Sequence, residues 1–331
     1  MRLALATALF MLACATDDAG LTDHDGFDDT IEDGKSDQSQ ASRKVIHRFA
    51  DRRLFPEGGA FDPTDRAFYV GSLEHGSITR VDASGAESTF FAGTGEQDRY
   101  TLGMQVDAAR RRLWVCTTKD SLGTIWIFDL ATKARISSID LTRANPEAAC
   151  NDVLLDGDTA LVSDRENTHI YRIDEARAVS VWAHDPLLGG ALISLNSMVF
   201  TPDKSAVLTA VYLEPSLVRV SVANPKDVRK VKLSGDLFMD GFNVLNGPDD
   251  LMMMGDQLIV AFGSSIKRVT PKDPSWSAAT VKSTRSIGGV TALVADDRGK
   301  LYGINGQSVR FALGVRPNPF EIYEIEPSKL R

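Results

Sequence analysis

Four side chains that carry oxygen ligands recur at one position of a repeated sequence pattern, each standing just before a short apolar segment. They are Glu57, Asn151, Asn196 and Asp249. Carboxylate and amide oxygens suit Ca²⁺, which binds about six to eight oxygen ligands. The two carboxylates would balance the charge of one divalent cation. The matching positions of the other two copies hold Leu102 and Thr291. Since none of the six positions offers a thiolate or an imidazole, zinc and copper are not expected.

The six positions belong to an internal repeat of about 45 residues. Each copy has a short apolar segment, a turn rich in Asp, Gly or Pro, a second apolar segment, a polar loop and a third apolar segment. The copies begin at residues 58, 103, 152, 197, 250 and 292. Short strands separated by such turns predict an all-β fold, and this period is typical of four-stranded propeller blades. The sequence therefore predicts a six-bladed β-propeller over residues 44–331.

The last copy reaches the end of the chain without a fourth strand, whereas residues 44–50 precede the first copy without a partner. We expect this N-terminal segment to close the ring as the outer strand of the last blade, since closure removes an exposed sheet edge. Residues 44–331 would then form one domain. The first strand of each blade lines the central channel, so the six positions are predicted to ring its axis.

The sequence around the four oxygen-bearing residues resembles the metal-binding motifs of the gluconolactonase/senescence-marker-protein (regucalcin-like) family. The segments are residues 56–62 (PEGGAFD), 151–153 (NDV), 195–197 (LNS) and 247–249 (GPD). The resemblance implies a six-bladed propeller with calcium or another divalent cation held by Glu57, Asn151, Asn196 and Asp249. It further implies hydrolysis of a lactone or related ester, with Asp249 as both ligand and catalytic base. The sugar-lactone members carry an arginine where this chain has Ala149, so the resemblance supports the metal more than a sugar substrate.

Loops that follow the second strands should reach the same end of the channel as the ring. The substrate pocket predicted from them and from the ring comprises Glu74, His75, Asp164, Arg165, Tyr212 and Thr291. His75 is a candidate acid or base near neutral pH, although a histidine in a glycine-containing loop is more often only solvated. Asp164 is equally suited to capping a turn. Residues 305–319 are a candidate for a partly apolar lid.

Three functional hypotheses follow from these features. The first is a calcium-dependent hydrolase of a lactone or related ester, which acts on a small molecule and uses the cation to polarise the carbonyl. The second is a non-catalytic surface propeller that binds a ligand or partner and keeps a structural calcium. The third is a structural propeller whose Asn and Asp residues only make turns. Nucleic acid is not expected as a partner, because the net charge is −8 at pH 7 and no basic block occurs.

The N-terminus has the pattern of an export signal. Residues 3–13 are a run of apolar and small residues after Arg2, too short to span a bilayer, and end before Cys14 in a sequence like a bacterial lipobox. We expect residues 1–13 to be a lipoprotein signal peptide and residues 14–43 to be a lipidated Cys14 with an acidic, disordered tether. A plain signal peptide is the alternative. The protein is thus expected in the bacterial cell envelope, touching the membrane only through its lipid anchor.

Two further cysteines, Cys116 and Cys150, lie within the repeats. In an oxidising compartment they could form a disulfide. Since spacing alone does not establish the geometry that a disulfide requires, we expect two separate, small buried residues.

Overall fold

The computed structural model describes residues 44–189, 194–212, 216–238, 247–262, 265–283 and 289–326. The strands of these residues form six sheets, and the first strand of every sheet contacts the first strands of both neighbouring sheets. This closed ring confirms the predicted all-β, six-bladed β-propeller. The predicted signal peptide, Cys14 and the tether lie outside the described residues. No helix within the described ranges has the length and apolar character needed to cross a membrane.

Blades 1 to 3 are antiparallel, four-stranded sheets in which each strand pairs with the next along the chain. Blade 1 contains β2 (Pro56–Asp62), β3 (Ala67–Ser72), β4 (Ile78–Val81) and β5 (Glu87–Phe91). Blade 2 contains β6 (Arg99–Asp107), β7 (Arg112–Lys119), β8 (Leu122–Asp129) and β9 (Arg135–Asp140). Blade 3 contains β10 (Val153–Asp156), β11 (Thr159–Ser163), β12 (His169–Ile173) and β13 (Val179–His184). Short 3₁₀ helices follow blades 2 and 3, at Leu141–Arg143 and Pro186–Leu188.

Blades 4 to 6 depart from this plan in two places. Blade 4 contains β14 (Leu195–Phe200), β15 (Ala206–Val211), β16 (Ser216–Ser221) and β17 (Val228–Lys230). Blade 5 contains β19 (Pro248–Met254), β20 (Gln257–Phe262), β21 (Ile266–Pro271) and β22 (Ala278–Ser283). A fifth strand that the repeat does not predict, β18 (Lys232–Gly235), pairs in parallel with β22. Blade 6 contains β23 (Val290–Ala295), β24 (Leu301–Asn305), β25 (Glu321–Ile325) and β1 (Lys44–Arg48).

The N-terminal strand β1 closes the ring as the sequence predicts. It pairs antiparallel with β25, with Lys44 opposite Glu324 and Arg48 opposite Glu321. Arg48 also donates two hydrogen bonds to Glu321 Oε1, at 2.7 and 3.0 Å. Without β1 the outer edge of β25 would expose unpaired backbone groups. The last blade is therefore completed by the first strand of the described chain.

Aspartates at the turns explain why the repeat carries this residue after its strands. Asp82 Oδ1 accepts backbone hydrogen bonds from Ser84 and Ala86, at 2.9 and 3.0 Å. Asp296 Oδ1 likewise accepts from Arg298 and Lys300, both at 2.9 Å. A short acidic side chain that bonds nearby backbone N–H groups stabilises a tight turn. These turns lie at the end of the propeller opposite the starts of the first strands, which we call the far face.

Ion pairs on the far face join neighbouring blades. Arg111 of blade 2 donates to both carboxylate oxygens of Asp62 in blade 1, at 2.7 and 2.6 Å, and Asp62 is fully buried. Arg66 of blade 1 makes a similar two-oxygen contact with Asp297 of blade 6, at 2.6 and 2.7 Å. Hydrogen bonds between a charged arginine and a carboxylate are shorter and stronger than those between neutral groups. They hold the closed ring together on the side away from the starts of the first strands.

The segment proposed as a lid is anchored in the protein core. Its helix α1 (Ser308–Leu313) buries Phe311, whose ring lies 5.2 Å from that of Phe55 and 6.0 Å from that of Tyr100. Leu313 remains half exposed. Because Phe311 is fixed by aromatic packing, the expectation of a lid gains no support from this part of the segment.

Cys116 and Cys150 form a disulfide, so the expectation of two separate cysteines is wrong. Their Cα atoms lie 6.0 Å apart, within the range that a disulfide needs. The sequence could not show this, because β7 of blade 2 and the chain entering blade 3 meet only in the folded ring. The disulfide joins β7 of blade 2 to Cys150. Cys150 directly precedes Asn151, which is one of the predicted metal ligands.

Replacing both cysteines, Cys116→Ala with Cys150→Ala, should lower the free energy of unfolding by about 3–4 kcal/mol. This is the loop-closure stabilisation expected for a bridge that spans 34 residues. Denaturant unfolding followed by circular dichroism measures the change. A reductant should destabilise the natural protein to a similar extent and leave the double variant unaffected. Equal stability of the oxidised and reduced natural protein would contradict the prediction.

Candidate functional site

Five of the six predicted ring residues line one cavity, which extends along the first strands from their starting residues towards their ends. The cavity has a volume of about 310 Å³, and the ring residues that line it are Glu57, Asn151, Asn196, Asp249 and Thr291. We call the end of the channel at the starts of the first strands the mouth. The sixth residue, Leu102, is 2 % exposed and packs in the hydrophobic core. The structure therefore brings the four predicted metal ligands to a common space.

β-Bulges occur at the ring position of five blades, whereas Asn151 of blade 3 precedes β10, whose pairing shows no shift. The pairing register shifts between Pro56 and Gly59 in β2, and between Leu195 and Met198 in β14. Similar shifts occur in the first strands of blades 2, 5 and 6, at the ring position in each case. A bulge bends the strand and redirects a side chain, which is why bulges are common beside active sites. These bulges could not be recognised in the repeated sequence pattern.

Only glycine fits directly after Glu57. Gly58 has a φ of +76°, and a Cβ atom there would lie 2.1 Å from the carbonyl oxygen of Leu102. Glycine adopts this left-handed conformation without steric cost. The close approach of blades 1 and 2 therefore fixes the backbone that carries Glu57.

Asn196 and Asp249 contact each other across blades 4 and 5. The Asn196 amide donates from Nδ2 to Asp249 Oδ1 at 2.9 Å and to the carbonyl oxygen of Pro248 at 3.2 Å. These two bonds orient the amide so that its nitrogen faces blade 5. The carbonyl oxygen Oδ1 is then the Asn196 atom suited to binding a cation.

The charge of Asp249 disfavours the charged form of Glu57. Removal from bulk solvent raises the pKa of Glu57 well above its usual range, and the negative charge of Asp249 raises it further. The pKa of Asp249 rises to about 7 through the same loss of solvent, which the hydrogen bond from Asn196 partly offsets. Two enclosed carboxylates at one site are costly without a positive partner. Their arrangement calls for a cation.

The oxygen set fits a divalent cation. Glu57 Oε2 is shielded from solvent and has no hydrogen-bond partner among the described residues. This oxygen can therefore bind a cation without breaking a hydrogen bond to the described part of the protein. In the same part of the chain no group of three or more His, Cys, Asp or Glu side chains forms a metal-binding cluster. The candidate set instead combines two carboxylates with two carboxamides, which is the kind of oxygen donor that Ca²⁺ binds.

Two further carboxylates lie one residue deeper in the channel, and the sequence analysis missed their role. Loss of solvent raises the pKa of Asp152 to about 6. The pKa of Asp250 rises to about 8, first through loss of solvent and then through the charge of Asp152. The Ser197 hydroxyl donates to Asp152 Oδ2 at 2.9 Å, and the Leu293 N–H donates to Asp250 Oδ2 at 2.6 Å. The only signal in the sequence was an Asp directly after Asn151 and after Asp249.

Three of the predicted pocket residues make structural contacts and do not border the cavity. Glu74 pairs with Arg53, and His75 pairs with Asp51 at 3.1 Å on the protein surface. Asp164 is fully buried. Its Oδ2 accepts the Tyr171 hydroxyl at 2.6 Å, while its Oδ1 accepts two backbone N–H groups of the following turn. Asp164 therefore builds the loop after β11, the turn-capping role that the sequence analysis gave as its alternative, and its place in a substrate pocket stays a prediction.

Of the other three predicted pocket residues, Thr291 borders the cavity, whereas Arg165 and Tyr212 do not line it. The positive charge of Arg165 lowers the pKa of Glu57, opposing the effect of Asp249. The pKa of Tyr212 is raised by loss of solvent and then by the charges of Asp249 and Glu57. Thr291 Oγ1 donates to the carbonyl oxygen of Pro56 at 3.0 Å. Its hydroxyl thus joins blade 6 to blade 1 beside Glu57.

Without a cation, the protein should lose stability as pH rises from about 4 to about 8. Asp249 and Asp250 have folded-state pKa values of about 7 and about 8, against 3.8 as the usual value. The folded state therefore holds more protons than the unfolded state in this window, and stability falls as those protons leave. Melting temperatures measured in a chelator across this range test the slope. Asp249→Asn with Asp250→Asn should flatten it, whereas an unchanged slope in that variant would contradict the assignment.

Solved structures with the same architecture include both enzymes and proteins of other kinds. No protein-family model matches the chain, and no curated protein matches its sequence. The structure is similar to the major allergen Mala s 1 of Malassezia sympodialis, with 17% identity, 84% of this chain and 95% of that chain covered, and a TM-score of 0.68. It is also similar to a gluconolactonase from Xanthomonas campestris, with 15% identity, coverage of 86% and 95%, and a TM-score of 0.61. Regucalcin, a calcium-binding protein from Agrobacterium tumefaciens, matches with 15% identity, coverage of 86% and 92%, and a TM-score of 0.58. The chain therefore has the six-bladed β-propeller fold that gluconolactonases and regucalcin share.

Proposed function

We propose that the protein is a calcium-dependent hydrolase of a lactone or related ester and that its active site is the mouth of the channel. The observation that carries the proposal is the pair of enclosed carboxylates, Glu57 and Asp249, which border one cavity together with Asn151 and Asn196. The uncompensated Glu57 Oε2 supports a cation at this place. The likeness to gluconolactonases and regucalcin supports the reaction class.

The residues of the ring have different roles in the proposed reaction. A divalent cation held by the four side chains would polarise the ester carbonyl and stabilise the negative charge that develops on its oxygen. Asp249 would bind the cation and accept a proton from the attacking water, the two roles that a carboxylate at the reacting centre can combine. The hydrogen bond from Asn196 at 2.9 Å keeps the Asp249 carboxylate in one orientation.

We also propose that the protein works outside the cytoplasm. The disulfide between Cys116 and Cys150 supports this location, because structural disulfides persist in oxidising compartments. The predicted signal peptide and lipidation at Cys14 point the same way. Mass spectrometry of the mature protein from a bacterial host tests this proposal. A mature N-terminus that keeps Met1, or an unmodified Cys14, would count against lipid anchoring.

Glu57→Gln and Asp249→Asn should each weaken calcium binding by at least about tenfold, because each removes one of the two charges that balance the cation. Hydrolysis of lactones should fall in parallel. Isothermal titration calorimetry measures the affinity, and release of acid from the lactone measures the rate. Asp249→Asn should lower kcat further than Glu57→Gln when calcium is saturating, since it also removes the base.

Asp256→Asn is the matched control for these variants. Asp256 is an exposed residue of blade 5, the blade that carries Asp249. It lies in the turn between β19 and β20, at the far face. Its replacement removes one negative charge without touching the mouth, so affinity and rate should stay at their natural values. Full activity in Glu57→Gln and Asp249→Asn would refute a metal-dependent reaction at this site.

A panel of lactones, aryl esters and phosphotriesters, each assayed with calcium and with chelator, separates catalysis from a binding role. The proposed hydrolase turns over at least one class, and chelator abolishes that turnover. A propeller that only binds a ligand would take up calcium with the same four residues and hydrolyse none of the three classes.

A further inference from the structure

The chain that enters blade 3 carries Asn151 without the bulge that the other five first strands have. Asn151 directly precedes β10, whose pairing with β11 shows no shift. Its backbone bonds lead instead to neighbouring strands. The Asn151 N–H donates to the Ser163 carbonyl oxygen at 3.0 Å, and the Asn151 carbonyl oxygen accepts the Gly103 N–H at 2.8 Å. The end of β11 and the first strand of blade 2 therefore hold this candidate ligand in place.

The hydroxyl of Ser163 lies between two segments that carry candidate ligands. Ser163 ends β11 and is fully buried. Its oxygen accepts the Asp152 N–H at 3.0 Å, and its hydrogen is donated to the Asn196 carbonyl oxygen at 2.6 Å. A serine hydroxyl can donate and accept at once, so a single group joins both segments. Because Asp152 directly follows Asn151, Ser163 links the main chains that carry the two carboxamides.

The side chain of Asp152 makes a second connection between the same segments. Its Oδ2 accepts the Ser197 hydroxyl at 2.9 Å and the Met198 N–H at 3.4 Å, both from blade 4. Its Oδ1 accepts the Val153 N–H at 2.8 Å, which holds the carboxylate against its own strand. The bonds of Ser163 and Asp152 thus join the start of β10 to β14 just behind the candidate ligands.

A cation that binds side chains from several blades is sensitive to the distances between those blades. Oxygen ligands of Ca²⁺ lie at about 2.3–2.6 Å, which leaves little tolerance for a shift of one strand. The Asn196 amide is oriented by its bonds to Asp249 and Pro248, but these bonds do not reach blade 3. The separation of Asn151 from Asn196 depends instead on the connection through Ser163. Groups that hold metal ligands from behind typically change metal affinity by about 10- to 100-fold when they are removed.

We propose that Ser163 is a positioning residue of the cation site, because its hydroxyl fixes the distance between the carboxamides of Asn151 and Asn196. The inference rests on the proposed function, since it requires that these carboxamides bind a divalent cation. It extends that function by a residue from a second strand. Ser163 does not border the cavity, so its effect on the cation passes through the two ligands.

Calcium affinity tests the inference without any turnover. Ser163→Ala removes the hydroxyl that joins blades 3 and 4, and calcium should then bind about tenfold more weakly. Isothermal titration calorimetry on the metal-free, disulfide-bonded protein measures the affinity. Melting temperatures in chelator and in calcium provide a second readout. The stabilisation that a fixed calcium concentration gives should be smaller in Ser163→Ala than in the natural protein, since a bound ion stabilises in proportion to its affinity.

Thr201→Val is the matched control, because it also removes a buried hydroxyl with two hydrogen bonds. Thr201 lies in blade 4, in the turn after β14 at the far face, and is 2 % exposed. Its Oγ1 donates to Asp203 Oδ1 at 2.7 Å and accepts the Ala206 N–H at 3.1 Å. The loss of these bonds should lower the melting temperature in chelator but leave calcium affinity at the natural value.

Asn196→Ala distinguishes positioning from a general loss of stability. This change removes one of the two carboxamides that Ser163 is proposed to position. Adding Ser163→Ala to it should therefore weaken calcium binding by a smaller factor than Ser163→Ala does alone, because the two residues act through one contact. If Ser163 contributed only to stability, the two losses of affinity would combine independently.

Natural calcium affinity in Ser163→Ala, an equal loss in Thr201→Val, or independent losses in the double variant overturns the inference. If Ser163→Ala does not fold, Ser197→Ala replaces it, because that change removes the parallel bond to Asp152. Unchanged calcium affinity in Ser197→Ala then overturns the inference.

These outcomes differ from those that would refute the proposed function. A protein that binds calcium, loses affinity in Ser163→Ala and hydrolyses none of the three substrate classes keeps the inference and loses the function. A lactonase with unchanged calcium affinity in Ser163→Ala keeps the function and loses the inference. A natural protein that binds no divalent cation loses both.

Discussion

The enclosure of four carboxylates in one channel is the constraint on which the arrangement of this propeller depends. Glu57 and Asp249 stand at the mouth, and Asp152 and Asp250 lie one residue deeper. Each of the four has a raised pKa, so the fold alone does not compensate their charge. Such a cluster is costly without a bound cation or protons. A protein that only needed a closed ring of blades would be more stable with apolar residues at these positions.

The closed ring of blades provides a framework that can enclose these four carboxylates. First strands from six blades contact one another around the axis, and bulges at the ring positions direct side chains inward. Ion pairs on the far face and the disulfide between blades 2 and 3 hold neighbouring blades together. The framework is therefore stabilised at the far face by the ion pairs and near the mouth by the disulfide beside Asn151.

Much of the architecture could be predicted from the sequence because it follows from a repeat. The period of the repeat gave the number of blades, the position of Glu57 and its equivalents, and the closing strand. Features that join separate repeats could not be predicted, because they depend on distances between blades. The pairing of Cys116 with Cys150 is one such feature, and the use of Asp164 inside its own loop is another. The fifth strand of blade 5 escaped prediction because it lies outside the repeating unit.

The direction of β1 determines at which end of the propeller the described chain begins. Arg48 pairs at the mouth end of β25, whereas Lys44 pairs at the far-face end, beside Glu324. The described chain therefore begins at the end of the propeller opposite Glu57 and Asp249. A label or carrier joined at Lys44 would be attached at that end and would leave the ring of oxygen ligands uncovered.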